Sequence, residues 1–137
     1  MPPEMEPVYE WLDRAEHDLQ AADLVARQMP NAPEIAVFHC QQAVEKFLKA
    51  YLTFAERTFK KLHDLDQIVT WCSESDASFL ELRSVVAPLR QYAVEVRYPH
   101  VMGLKADDVR IALGSANTVR DFVRARIPGL EDRPAGR

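Results

Sequence analysis

The chain has little glycine, little cysteine and no long apolar run. Among its 137 residues there are 4 glycines and 2 cysteines. So few glycines, together with long periodic stretches, favour helical structure. No segment approaches the roughly 20 consecutive apolar residues that a membrane span requires, and the first residues lack the basic region and apolar run of a secretory signal. We therefore expect a cytoplasmic protein that makes no contact with a membrane.

The two cysteines also lack the spacing of known metal and redox motifs. Cys40 and Cys72 lie in apolar helical surroundings without a CxxC pair, so we expect buried thiols, no disulfide and no structural zinc. The sequence has no glycine-rich phosphate loop and no motif centred on serine or cysteine that would indicate a nucleophile. It therefore predicts neither a metal site nor a cofactor.

An excess of positive charge is absent as well, since the formal net charge is −4. A strongly basic balance supplies most of the non-specific affinity of proteins for phosphate backbones. This balance therefore argues against a protein that coats nucleic acid, although it leaves room for a local basic patch. The length fits one domain, which we place over residues 1–137.

Apolar residues recur at helical spacing along almost the whole chain. These stripes predict helices over about 7–28, 33–57, 65–73, 78–96 and 106–127. Ser78 and Glu81 have the spacing of a capping box for the fourth helix, which Pro88 should bend or split. The connections are mostly short, so we predict an all-α, up-and-down bundle of four long helices plus one short helix. The ordered core should span about 7–127, with a flexible tail over 130–137.

The segment 37–52 shows the clearest division into two faces. Its apolar residues form one stripe, and four polar residues recur at the same spacing on the opposite side: His39, Gln42, Lys46 and Lys49. One interpretation is a stripe that binds phosphate, supported by Lys60 and Lys61 beyond the helix. The other is a solvated face on which Glu45 and Lys49 form an ordinary i,i+4 ion pair.

Three side chains suited to chemistry follow one another where the fourth helix ends. Arg97 offers a planar fork of donors for phosphate, Tyr98 offers a phenol, and His100 can transfer protons near neutral pH. Functional residues often lie on such short loops. In the alternative interpretation, Arg97 caps the last carbonyls of the helix, Tyr98 packs against the second helix, and Pro99 only stops the helix.

Three pieces of the sequence, in this order, also form a family signature. They are Phe38-His39-x-Gln41-Gln42-Ala43-x-Glu45-Lys46-x-Leu48-Lys49-Ala50, then His63-Asp64-Leu65, then Arg97-Tyr98-Pro99. With helical patterning between them, over roughly Tyr9 to Ile127, the sequence resembles the HEPN domain. This is the small helical module found in prokaryotic nucleotidyltransferase partners and in some RNases.

The resemblance implies a homodimer that serves as the companion of a minimal nucleotidyltransferase, in a module of the toxin–antitoxin type. It implies a nucleotide or an RNA segment near Arg97, Tyr98 and His100, with Lys46 and Lys49 as supporting charges. Aromatic residues near the predicted helix ends add to the expectation of a dimer, because they leave more apolar surface than one bundle covers. These are Trp11, Phe54, Phe59, Trp71 and Phe79.

In one respect the sequence departs from the HEPN domains that resemble RNases. Those carry an Arg and a His that are separated by a longer gap than the two residues between Arg97 and His100. The positions where the family's His is expected provide no general base: Met102, Gly103 and Leu104. We therefore favour a non-catalytic companion over an enzyme. The alternative is a metal-independent ribonuclease, a toxin, that uses Arg97 with His100 or His63.

Overall fold

A computed structural model describes residues 4–61, 63–97 and 103–133, the last five residues of the middle range by main chain only. These ranges contain five α-helices: α1 (Glu6–Gln28), α2 (Pro33–Phe54), α3 (Leu65–Ser73), α4 (Leu82–Arg97) and α5 (Ala106–Ala125). Short 3-10 helices span Ala77–Glu81 and Leu130–Asp132, and the described ranges contain no strand. The predicted all-α bundle of four long helices and one short helix is confirmed. None of the helices in these ranges is long and apolar enough to cross a bilayer.

Helix α2 forms the centre of the bundle, because it packs against α1, α3, α4 and α5. The side chains of Phe47, Leu48 and Leu52 are fully buried. Burial of each such side chain stabilises the fold by about 1.5–3 kcal/mol. The apolar stripe predicted for this helix therefore lies in the core.

Two contacts fix the direction of α4 relative to α2. The amide Nε2 of Gln41 donates to the main-chain oxygen of Leu89 at 2.8 Å. The ring of Phe79, which precedes α4, lies 4.3 Å from the ring of Tyr51 near the other end of α2. Helix α4 is therefore antiparallel to α2, and its last residue, Arg97, lies towards the N-terminal end of α2.

Helix α2 ends at Phe54, earlier than the periodicity predicted. The main-chain N–H of Arg57 donates to the oxygen of Leu52 at 2.9 Å, and that of Glu56 donates to Thr53 at 3.1 Å. These bonds form a Schellman motif, with Glu56 in the left-handed region at φ 58°. Glycine is the usual residue at this position, and because a glutamate stands there, no residue type marked the end of the helix.

The capping box predicted at Ser78 and Glu81 is wrong. The carboxylate of Asp76 accepts from the main-chain N–H of Ser78 at 2.9 Å and from its hydroxyl at 2.7 Å. Asp76 thus caps the 3-10 helix that precedes α4. Helix α4 continues through Pro88 as one helix, so the alternative of a split at this proline is also wrong.

The start of the C-terminal tail packs against α1. The guanidinium of Arg133 donates to both carboxylate oxygens of Asp13, at 2.8 and 2.7 Å, and lies 4.6 Å from the ring centroid of Tyr9. Residues 130–133 are therefore held on the bundle, whereas the sequence favoured a flexible tail from residue 130. The remainder, 134–137, lies outside the described residues.

Several of the aromatic residues that suggested a dimer are used within the chain. Phe79 is fully buried, with its ring 5.0 Å from the ring of Phe122, and the rings of Trp11 and Phe59 lie 6.3 Å apart. The large apolar side chains exposed in the described ranges are Leu24, Met29, Ile35, Phe38, Leu80 and Ile111. The first four lie around the turn between α1 and α2. The homodimer stays a prediction, and within the described ranges four of the six exposed large apolar side chains lie at that turn.

Candidate functional site

A carboxylate, an imidazole and an ammonium meet at the surface between α1 and α2; we call this group the outer cluster. Asp18 Oδ1 lies 3.0 Å from His39 Nδ1, and Asp18 Oδ2 accepts from Lys46 Nζ. The exposed fractions of the side chains are 14% for Asp18, 30% for His39 and 24% for Lys46. The three groups are therefore packed together while solvent still reaches them. Gln42, between His39 and Lys46 on the helix, is half-buried.

A second carboxylate on α2 has the same two kinds of partner; we call this group the inner cluster. Glu45 Oε2 accepts from Lys49 Nζ at 2.9 Å, and Glu45 Oε1 lies 2.8 Å from His63 Nδ1. The side chains of Glu45 and Lys49 are each only 6% exposed, whereas that of His63 is 63% exposed. The predicted pair of Glu45 and Lys49 exists, but the expectation that it lies on a solvated face is wrong.

The connector between α2 and α3 covers the inner cluster. The Nζ of Lys49 lies 5.6 Å from the ring centroid of Trp11 and 5.9 Å from that of Phe59, which are cation–π distances. Phe59 and His63 thus fasten the connector on α1 and α2. Between them, Lys60 and Lys61 are exposed, and neither forms an ion pair with a described residue. The connector therefore presents two solvated ammonium groups close to the buried Lys49.

Of the residues predicted at the end of α4, the structure describes only the main chain of Arg97, which lies far from Lys46 within one chain. Tyr98 and His100 lie outside the described residues, and Arg97 is described by its main chain only. From Leu89, which is bonded to Gln41, helix α4 rises about 12 Å to Arg97. Lys46 lies in the opposite direction from Gln41, so roughly 20 Å of bundle axis separates it from the main chain of Arg97. Within one chain the main chain of Arg97 is therefore not beside Lys46, and a ligand at Arg97, Tyr98 and His100 stays a prediction.

Sequence reasoning found the basic members of these clusters and missed Asp18. This residue is on α1, next to the buried stripe that contains Ala15 and Ala22. A carboxylate at the border of a buried stripe is the signal that would have indicated an interhelical partner. Periodicity does not identify which residues of α2 face Asp18, because their identity depends on how the two helices pack.

The buried cysteines are not candidates for a nucleophile. Burial raises the pKa of the Cys40 thiol and that of the Cys72 thiol to about 12, so both stay protonated at neutral pH. Cys72 Sγ lies 3.6 Å from the main-chain oxygen of Leu48. The predicted buried thiols are confirmed. Within the described part of the chain, no group of three His, Cys, Asp or Glu side chains is placed to hold a metal ion.

Comparison with known families decides the assignment, since the model of the HEPN domain matches residues 8–126. The chain belongs to the HEPN family. Neither the comparison with curated proteins nor the comparison with solved structures gave a match. In this HEPN domain the inner cluster links the first two pieces of the signature, because His63 of the second piece contacts Glu45 of the first.

Proposed function

We propose that this HEPN domain is a non-catalytic companion of a minimal nucleotidyltransferase, in a module of the toxin–antitoxin type, and that it binds nucleotide or RNA. The observation that carries the proposal is the gathering of cationic groups along one side of α2 and the connector. His39 and Lys46 are in solvent-accessible positions, and Lys60 and Lys61 extend from the connector beside Lys49. On a chain of net charge −4, this is a local surface to which phosphate would be attracted.

Different members of this surface have different roles in the proposal. Lys60 and Lys61 are the groups that reach phosphate first, because they have no carboxylate partner among the described residues. Lys49 contributes mainly to stability, since its ammonium is enclosed by Glu45, Trp11 and Phe59. The proposal keeps Arg97, Tyr98 and His100 as a second region of contact with the ligand, separate from the lysines of the connector.

Binding is tested with a dye-labelled single-stranded RNA and with ATP, by fluorescence anisotropy and by calorimetry. The Lys60→Gln/Lys61→Gln variant should bind RNA more weakly and lower the slope of log affinity against log salt by about 1 to 2. The matched control is Arg27→Gln/Arg110→Gln, which removes two exposed charges elsewhere on the bundle. Equal affinities for all three proteins would count against this surface. ATP binding without RNA binding would select the nucleotide.

The partner and the oligomeric state need a separate measurement. We expect the chain to co-purify with a minimal nucleotidyltransferase encoded beside its gene, and to form a homodimer on its own. Size-exclusion chromatography with light scattering, on the chain alone and after co-expression, measures both. A monomer at micromolar concentration, or separate elution of the two proteins, would contradict the corresponding part of the proposal.

One contact favours a metal-independent ribonuclease as the second candidate. The exposed imidazole of His63 is held at Nδ1 by the buried carboxylate of Glu45, an arrangement that orients a general base. Because Glu45 lies far from the main chain of Arg97 within one chain, the alternative pairs this His with Arg97 of a second copy across a dimer, or pairs His100 with Arg97. Incubation with total RNA in EDTA, beside the His63→Ala and Arg97→Ala/His100→Ala variants, tests it. Cleavage that the variants lose would replace the companion by an enzyme.

A further inference from the structure

The outer cluster is similar in composition to a small anion-binding site in which the anion is a side chain of the protein, the carboxylate of Asp18. Its two donors, the imidazole of His39 and the ammonium of Lys46, approach different oxygens of one carboxylate, that of Asp18. Two oxygens of a phosphate group would accept from such a pair in the same way. Arg14 precedes Asp18 by one turn of α1, so it lies on the same side of the helix. Its side chain is exposed.

The inner cluster has the same kinds of groups, but its carboxylate and its ammonium are closed to a ligand. Glu45 has the same kinds of partner as Asp18, but Glu45 and Lys49 are enclosed under Trp11 and Phe59. A ligand would have to displace the connector to reach them. In the outer cluster all three side chains are partly exposed. The inner cluster is therefore structural, and the outer cluster is the one that a ligand can enter.

We propose that His39, Lys46 and Arg14 form a phosphate-binding site, and that Asp18 competes with the phosphate for it. This inference rests on the proposed function, because it names how the lysine-bearing side of α2 meets its ligand. In the free protein the carboxylate neutralises Lys46 and occupies the donor of His39. A phosphate gains these donors only when the side chain of Asp18 turns away, so the carboxylate lowers the affinity of the site.

Removing the acidic group of Asp18 should therefore tighten the binding of phosphate rather than weaken it. The Asp18→Asn variant keeps the shape of the side chain and removes its charge. We expect it to bind ATP, the labelled RNA, or both at least about tenfold more tightly than the wild type, since charge-assisted hydrogen bonds become available to phosphate. The matched control is Asp23→Asn, which makes the same change on the same helix, at a carboxylate that pairs with Arg27.

A third variant shows whether the gain arises at this site. Adding Lys46→Gln to Asp18→Asn should abolish the gain in affinity for ATP or RNA, whereas adding Arg27→Gln to Asp18→Asn should leave that gain unchanged. Equal binding by the Asp18→Asn and Asp23→Asn variants, or a gain that survives Lys46→Gln, would overturn the inference. Circular dichroism checks that each variant is folded.

If Asp18→Asn does not fold, the wild type itself supplies the test. Titration with ATP or RNA should shift the NMR signals of the His39 ring, and absence of a shift at saturation would overturn the inference. These outcomes also distinguish the phosphate site at His39 and Lys46 from the proposed function. Binding by the wild type that Asp18→Asn leaves unchanged supports the function alone, and binding by Asp18→Asn alone supports the site alone. No binding by either protein contradicts both.

Discussion

The carboxylate of Glu45 contacts both Lys49 and His63. Because its ion pair with Lys49 is buried, loss of this pair should lower the free energy of unfolding. Breaking a buried ion pair by removing one member leaves an uncompensated charge, which typically costs about 3–5 kcal/mol. The Lys49→Met variant should therefore lower the free energy of unfolding by about this amount in urea titrations. The Lys46→Met variant is the matched control, because solvent reaches its pair with Asp18 and exposed pairs contribute about 1 kcal/mol or less. Equal losses for the two variants would show that the inner cluster is not structurally distinct.

The two thiols give a second prediction at the scale of single residues. Both are fully buried, and burial raises the pKa of each thiol to about 12. A thiol reagent such as DTNB should therefore react with neither cysteine in the native protein at pH 8 and with both after unfolding in urea. Rapid reaction of one thiol in the native state would place that cysteine at the surface.

At the scale of elements, the end of α2 contains local strain. Glu56 adopts the left-handed conformation at φ 58°, which disfavours residues with a Cβ. The Glu56→Gly variant should raise the free energy of unfolding by about 0.5–1 kcal/mol, because glycine adopts this conformation without that penalty. The Glu56→Ala variant keeps the Cβ and should leave stability almost unchanged. A loss of stability on Glu56→Gly, measured by urea unfolding, would contradict the strained end of the helix.

The elements also show where sequence reasoning succeeds. Helices α3 and α5 begin at Leu65 and Ala106, where their apolar stripes predicted, since periodicity is local in the chain. The errors concern two features near α4: the residue that caps the preceding 3-10 helix, and the effect of Pro88 on α4. Asp76 caps the 3-10 helix instead of Ser78, and α4 continues through Pro88 in spite of the proline. The cap by Asp76 is a local contact between residues two apart in the sequence, whereas the continuation of α4 through Pro88 is not encoded in the spacing of apolar residues.

At the scale of the whole molecule, one contact connects the two ends of the chain. The hydrogen bonds from Arg133 hold the pKa of the Asp13 carboxyl below its ordinary value of 3.8. A folded-state pKa below the unfolded value means that the contact stabilises the fold above the unfolded value. That contribution is lost as the pH falls through the folded-state pKa.

The Asp13→Asn variant tests this contact. Its free energy of unfolding should be lower than that of the wild type by a constant amount from pH 7 to about pH 5, and the difference should vanish in stronger acid. Urea titrations at several pH values measure it, with Asp23→Asn as a control that leaves the chain ends untouched. A difference that does not depend on pH would show that Arg133 does not hold the carboxylate in solution.

The sequence by itself determined the helical class, the helices and the buried stripes, because helical periodicity and acidic first turns are properties of neighbouring residues. The HEPN signature likewise lies in short, local motifs. Only the tertiary structure decided which charges are free. It turned Lys49 inward under Trp11 and placed Asp18 opposite Lys46, because these partners come from different helices whose relative rotation is set by packing.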